Sequence, residues 1–471
     1  MENNTTSFLV RSTATGWKRA SVLAVDAGVH LAAIVDIIKS HPTDYTHDGT
    51  DRPITLINGP FAGLEIPHVS PEANAAHITR MLVETYVVTH PHLDHISGFV
   101  VNTASLPGSR PKRLAGLPST IEAFKTHIFN NVIWPNLSDE NHGAGLVTYL
   151  RLNEGGSPAL GEGLSKGYIE VCEGLNVKTW GISHGHCIEA HTHRGSSAGL
   201  ESNSSQQSDA SPRLRPRVGS QLNPIPRSGS NTSLTPGDLY RMDSQERMCV
   251  YDSSAYFIQD TKTRKEILIF GDVEPDSLSL SPRNRFIWGE AAPKIVSGRL
   301  RGIFIECSFD NSQTEDRLYG HMAPRYLIEE LKSLAYEVEH GTGKVAEMRS
   351  TNDPVKLFNP RVSSYRTRSY SEIYPPISPR SQHPLSRHIP ADDRKENIDL
   401  EAQNTDGDIA VRKKSTFPLK GLRIVIIHVK DRLTDGPGIG ETIMKEMQEY
   451  EEEAQLGCEF ILSKAGQTLY F

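Results

Sequence analysis

A chain of 471 residues, 37% of them hydrophobic, has room for two or three average domains or one large α/β unit with a substantial core. Its net charge of −7 lacks the basic balance that a phosphate backbone demands, so nucleic acid is not an expected partner. Five scattered cysteines fit reduced thiols in a cytoplasmic protein, and neither a leader pattern nor the roughly 18 apolar residues of a membrane span can be found.

In chain order, short runs rich in Val, Ile and Phe read as buried strands at Ser21–Val25, Thr85–Thr89, Glu266–Phe270, Gly302–Glu306 and Leu422–His428. Between them, Pro118–Asn130 and Ala323–Tyr336 begin near a proline and repeat apolar residues at helical spacing. This interleaving predicts an α/β protein. Residues 194–248 and 350–418 are dominated by Ser, Pro and Arg and are expected to be disordered inserts in a single domain spanning 1–471.

The chemistry concentrates in Thr89-His90-Pro91-His92-Leu93-Asp94-His95, where a strand ends in histidines and a carboxylate on one tight turn. Zinc and other first-row divalent metals take such donors readily. His90 and His92 can converge on one ion, with Asp94 and His95 reaching a second. A turn cannot fill two coordination spheres, and further donors are available at strand ends: His184 in Gly181-Ile182-Ser183-His184-Gly185-His186, Asp272 after Ile267–Gly271, and His428 after Ile424–Ile427.

This order of His-x-His-x-Asp-His, distant His, Asp and final His resembles the metallo-β-lactamase superfamily. Within it, the stretch His90–Ala104 is similar to the signature of class II cyclic-nucleotide phosphodiesterases of the fungal low-affinity type. Ser183-His184-Gly185, Ser253–Phe257, Phe270–Glu274, Ile305–Ser308 and Leu318–Met322 resemble the same family. Phe99 and Thr103 depart from it, standing where a smaller aliphatic residue and a serine are usual. Such proteins also open with a strand and a glycine-rich loop ahead of the segment matching Thr6–Val10, so a shortened N-terminus or a missing edge strand is expected here.

The resemblance implies a four-layer αββα sandwich of metallo-β-lactamase type with Zn2+ as cofactor, two ions per chain. One ion would be held by His90, His92 and His184, and the other by Asp94, His95 and His428, with Asp272 between them. The implied activity is hydrolysis of 3′,5′-cyclic AMP, with cyclic GMP as a second candidate substrate, to the 5′-nucleotide by a metal-bridging hydroxide, which would lower cyclic-nucleotide signalling. Asp94, Asp272 and His321 are the expected catalytic residues. His321 precedes a helix starting near Pro324, where it could donate to the phosphate or the leaving oxygen, or merely cap the helix.

His186, His191 and His193 approach the first insert and read as solvated. In the second insert, Arg366–Ser371 and Arg412–Ser415 place basic residues before serines and could attract a kinase and phosphoserine-reading partners. A nuclease of the same superfamily should carry a basic arm, a thioester hydrolase should be shorter, and a metal-free adaptor would not need the ligand set.

Overall fold

Strand register explains why apolar runs, and not alternating ones, mark this fold. A computed structural model describes residues 5–41, 54–105, 110–189, 247–348, 417–432 and 435–471. The first half contains β1 (Phe8–Arg11), β2 (Val22–Val25), α1 (His30–Ser40), β3 (Ile54–Thr55), β4 (Glu65–Ile66), α2 (Pro71–Met81), β5 (Val83–Val87), α3 (Leu93–Ser105), β6 (Lys112–Gly116), α4 (Pro118–Ala123), β7 (Val147–Arg151), β8 (Ile169–Cys172) and β9 (Leu175–Glu189). It is followed by β10 (Arg247–Asp260), β11 (Glu266–Phe270), α5 (Asn284–Val296), β12 (Leu300–Glu306), α6 (Pro324–Met348), β13 (Arg423–Ile427), α7 (Ile439–Ala454) and β14 (Glu459–Leu462).

One sheet has the order β1-β2-β5-β6-β7 and the other β14-β13-β12-β11-β10-β9-β8, while β3 and β4 form a small separate pair. Side chains alternate between faces along each strand, and here both faces are covered. Val22 and Ala24 pack with Ile34 of α1, Ile78 of α2 and Phe99 of α3, whereas Leu23 and Val25 turn inward. In the other sheet Leu268, Ile303 and Ile424 meet α5, α6 and α7, while Ile269, Phe304 and Val425 face the first sheet. Helices, sheet, sheet, helices is the expected αββα order.

Strands β2, β5, β6 and β7 are mutually parallel, as are β11, β12, β13 and β14. Their carboxyl ends deliver Asp26, His90, Asp272, Glu306 and His428, at the end of parallel strands where α/β proteins build sites.

Several expected boundaries move. The helix expected over 118–130 is α4 followed by a wider π turn at Phe124–Ile128. The turn brings Phe124 and Phe129 into the same core, ring centroids 5.6 Å apart, which five residues of regular α-helix would point apart. Helix α6 runs past Tyr336 to Met348. Arg247 and Met248, expected in the first insert, open β10. The departure at Phe99 is a packing choice: its ring lies 4.8 Å from that of Tyr86 and is fully buried.

The chain divides into two compact units, residues 1–342 with 416–471 and residues 343–415; the strands among the described residues belong to the first. Most of both expected inserts, with the basic-serine strings, lies outside the described residues. No described helix is long and apolar enough to cross a membrane. Cys172, Cys307 and Cys458 are free thiols.

Candidate metal centre

The tight turn after β5 becomes the start of a helix. Asp94 and His95 occupy the first turn of α3, and the His95 amide donates to the His92 carbonyl at 3.0 Å. Gly98 lets α3 press against the turn after β2: a Cβ there would meet the Gly28 carbonyl oxygen at 1.9 Å.

His184 lies within a strand and not at a strand end. It sits in β9 where the pairing with β10 shifts between Val250 and Asp252, and the bulge re-aims its ring into the site. Gly185 (φ 78°) and Gly320 (φ 81°) touch across this bulge, where a Cβ on Gly320 would stand 2.7 Å from the Gly185 nitrogen. That close approach brings the His184 and His321 rings to 4.8 Å.

The expected ligand residues converge. His90, His92, His184 and Asp272 present donor atoms within 4.8 Å of one another, as do Asp94, His95, Asp272 and His428, with Asp272 common to both groups. Its Oδ2 lies 3.6 Å from Nε2 of His90, 3.5 Å from Nε2 of His184 and 3.2 Å from Nε2 of His428; its Oδ1 lies 3.1 Å from Nε2 of His95. His92 is exposed at the rim, and His186 is exposed outside both groups; His191 and His193 lie outside the described residues.

A shell of hydrogen bonds fixes which ring nitrogen faces inward. His184 Nδ1 donates to the Gly320 carbonyl at 2.9 Å, and His95 Nδ1 to Oδ2 of Asp26 at 2.8 Å. His90 Nδ1 is 3.0 Å from the Thr89 hydroxyl, which itself donates to Asp26 at 2.8 Å, and His428 Nδ1 is 2.8 Å from the Thr6 hydroxyl. The Nε2 atoms of His90, His95 and His428 are buried without a hydrogen-bond partner. Buried imidazole nitrogens aimed at carboxylate oxygens are costly by themselves and are satisfied by a cation. The donor set therefore fits a divalent metal.

Burial holds His184 down at about 4 and His90 well below its ordinary value, favouring neutral rings, whereas at His95 the Asp272 and Asp26 carboxylates outweigh burial and hold the ring well above its ordinary value. Burial alone would raise the Asp272 carboxyl, but the imidazoles of His95 and His428 outweigh it and hold it well below the carboxylate range.

Two contributors were given no site role by the sequence. Asp26 follows β2 in the left-handed region (φ 55°), fully buried, and also accepts the Thr89 amide at 2.8 Å. Glu306, at the end of β12, accepts His321 Nδ1 at 2.9 and 3.0 Å and the Val273 amide at 2.6 Å. His321 is thus a buried partner of Glu306, and it forms a further donor cluster with His184, Asp272 and Glu306. A carboxylate closing an apolar run was the available signal for both, and for Glu306 also its place in the family-like stretch Ile305–Ser308.

The family model described as cAMP phosphodiesterases class-II matches residues 66–357. A 3′,5′-cyclic-nucleotide phosphodiesterase of Schizosaccharomyces pombe is 26% identical over 310 residues, 66% of this chain and 66% of the relative. One from Candida albicans is 27% identical over 339 residues, 67% of this chain and 73% of the relative. The crystal structure of unliganded yeast PDE1 superposes with a TM-score of 0.57 at 19% identity, covering 99% of this chain and 94% of that one, which shows a shared fold.

Proposed function

Because the chain belongs to the class-II cAMP phosphodiesterases, we propose that it hydrolyses 3′,5′-cyclic AMP to the 5′-nucleotide at a centre of two zinc ions. His90, His92 and His184 would hold one ion and Asp94, His95 and His428 the other, with Asp272 common to both donor groups. The observation that carries this is the set of inward Nε2 atoms of His90, His95, His184 and His428 around one buried carboxylate. Metal ions bound there supply an acidified water and offset charge developing on the phosphoryl oxygens.

The chain's own residues supply orientation and a proton. Glu306 holds Nδ1 of His321, leaving Nε2 as the atom that donates to the departing 3′ oxygen while the water oxygen bonds to phosphorus and the P–O3′ bond breaks. Burial alone would lower the His321 pKa; the Glu306 carboxylate outweighs it and holds the imidazole above its ordinary value, in the protonated form an acid needs. The single-domain organisation with surface inserts, a cytoplasmic setting and kinase access to the insert serines belong to the same reading. Metal analysis of the purified protein followed by a cyclic-AMP assay tests it, and metal-replete protein that leaves cyclic AMP intact refutes the substrate.

A further inference from the structure

A cation stands beside the metal cluster that no motif indicated. The Lys430 ammonium lies 3.2 Å from Oδ2 of Asp94. The same oxygen is 3.6 Å from Nε2 of His428 and 3.9 Å from Nε2 of His95, so it is the oxygen an ion shared by these residues would take. Lys430 is held in place by its backbone. The left-handed turn at His428 (φ 58°) redirects the chain after β13, and the Lys430 amide donates to the Ser308 carbonyl at 2.9 Å. Nearby Arg432 is engaged elsewhere, 3.0 Å from Asp310 and 2.8 Å from the Ser312 hydroxyl. The Lys430 side chain is 35% exposed, at the rim and not in the core.

A divalent ion on Oδ2 of Asp94 would face this ammonium across a single carboxylate oxygen. One carboxylate cannot neutralise a divalent ion and an ammonium together, and the phosphate of a bound ester is the anion the centre must receive. We propose that Lys430 is the anchor for that anion: once metal takes Asp94, the ammonium turns to a non-bridging phosphate oxygen. The proposal rests on the phosphodiesterase reading for its substrate, but the chemistry recognised is a phosphate group, free or esterified. It makes metal and ammonium competitors for Asp94, a competition that phosphate relieves, so metal and phosphate each strengthen the other's binding through Lys430.

Calorimetric titration of inorganic phosphate into metal-loaded protein measures the anchor without turnover. Lys430→Met is expected to weaken phosphate about tenfold or more, and Lys430→Arg to retain most of the affinity. Chelator competition without phosphate should show metal held more tightly by Lys430→Met than by wild type. Equal phosphate affinity in wild type and Lys430→Met overturns the anchor. Cyclic-AMP turnover on the same preparations separates the two readings. Hydrolysis by a wild type whose phosphate affinity is indifferent to residue 430 refutes the anchor alone, and Lys430-dependent phosphate binding without hydrolysis upholds the anchor while refuting the substrate.

Discussion

The Asp26 carboxylate accepts the Nδ1 proton of His95 at 2.8 Å, from a backbone in the left-handed region at φ 55°. This orients the His95 ring and, through Thr89, that of His90. Asn tolerates the same backbone without the charge, so Asp26→Asn should fold normally while losing about 10- to 100-fold in metal affinity. Chelator competition measures this, and wild-type affinity would show that the carboxylate only ties the turn after β2 to Thr89.

Removing the donors themselves should be more severe. His92→Ala and Asp94→Ala replace rim residues and not core packing, so hydrolysis should vanish while thermal unfolding of the metal-free proteins stays near wild type. Asp272→Asn should be as damaging, because its carboxylate belongs to both donor groups. Near-normal turnover in any of the three would sink the proposed ligand set.

Glu306→Gln tests the acid. The carboxylate raises His321 above its ordinary pKa against the opposing effect of burial, so its loss lets the imidazole give up its proton at lower pH. The alkaline limb of the kcat profile should move to lower pH, with kcat falling more than KM rises. A profile that keeps its alkaline limb places the acid elsewhere.

His30 links the fold to acid stability. It is buried beside Tyr86, and burial, reinforced by Lys112, holds it at about 4. A depressed histidine contributes stability above its unfolded value near 6.5, lost as pH falls from there through about 4, on the order of 3 kcal/mol in full. Urea midpoints between pH 7 and pH 4.5 should therefore fall more steeply for wild type than for His30→Leu in metal-free protein. Parallel slopes would mean that the histidine is not the titrating group.

Trimming addresses the segments outside the described residues. Replacing 196–245 and 352–416 with short Gly/Ser linkers should leave turnover nearly unchanged, since loop length contributes only about 0.6 kcal/mol per doubling. Response to kinase treatment is what should disappear. A large loss of turnover at matched zinc content would mean that one of these segments contributes to the active site.

The order of donors along the chain and the α/β class were legible in the sequence because they are local: a strand's apolar run ends, and a polar residue follows. His90, Asp272 and His428 could be singled out from that pattern taken with the His-rich turn, and the structure places donor atoms of His90 and of His428 within 4.8 Å of Asp272. Tertiary structure decided what depends on neighbours distant in sequence. Asp26 and Glu306 acquire their roles from His95 and His321, across 69 and 15 residues, and Lys430 meets Asp94 across 336. His184 reaches the cluster through a bulge defined by pairing between β9 and β10, and Phe124 bends its helix to satisfy a core built from other elements. A single sequence records each residue's type and neighbours along the chain, but not which carboxylate the fold will place against which imidazole.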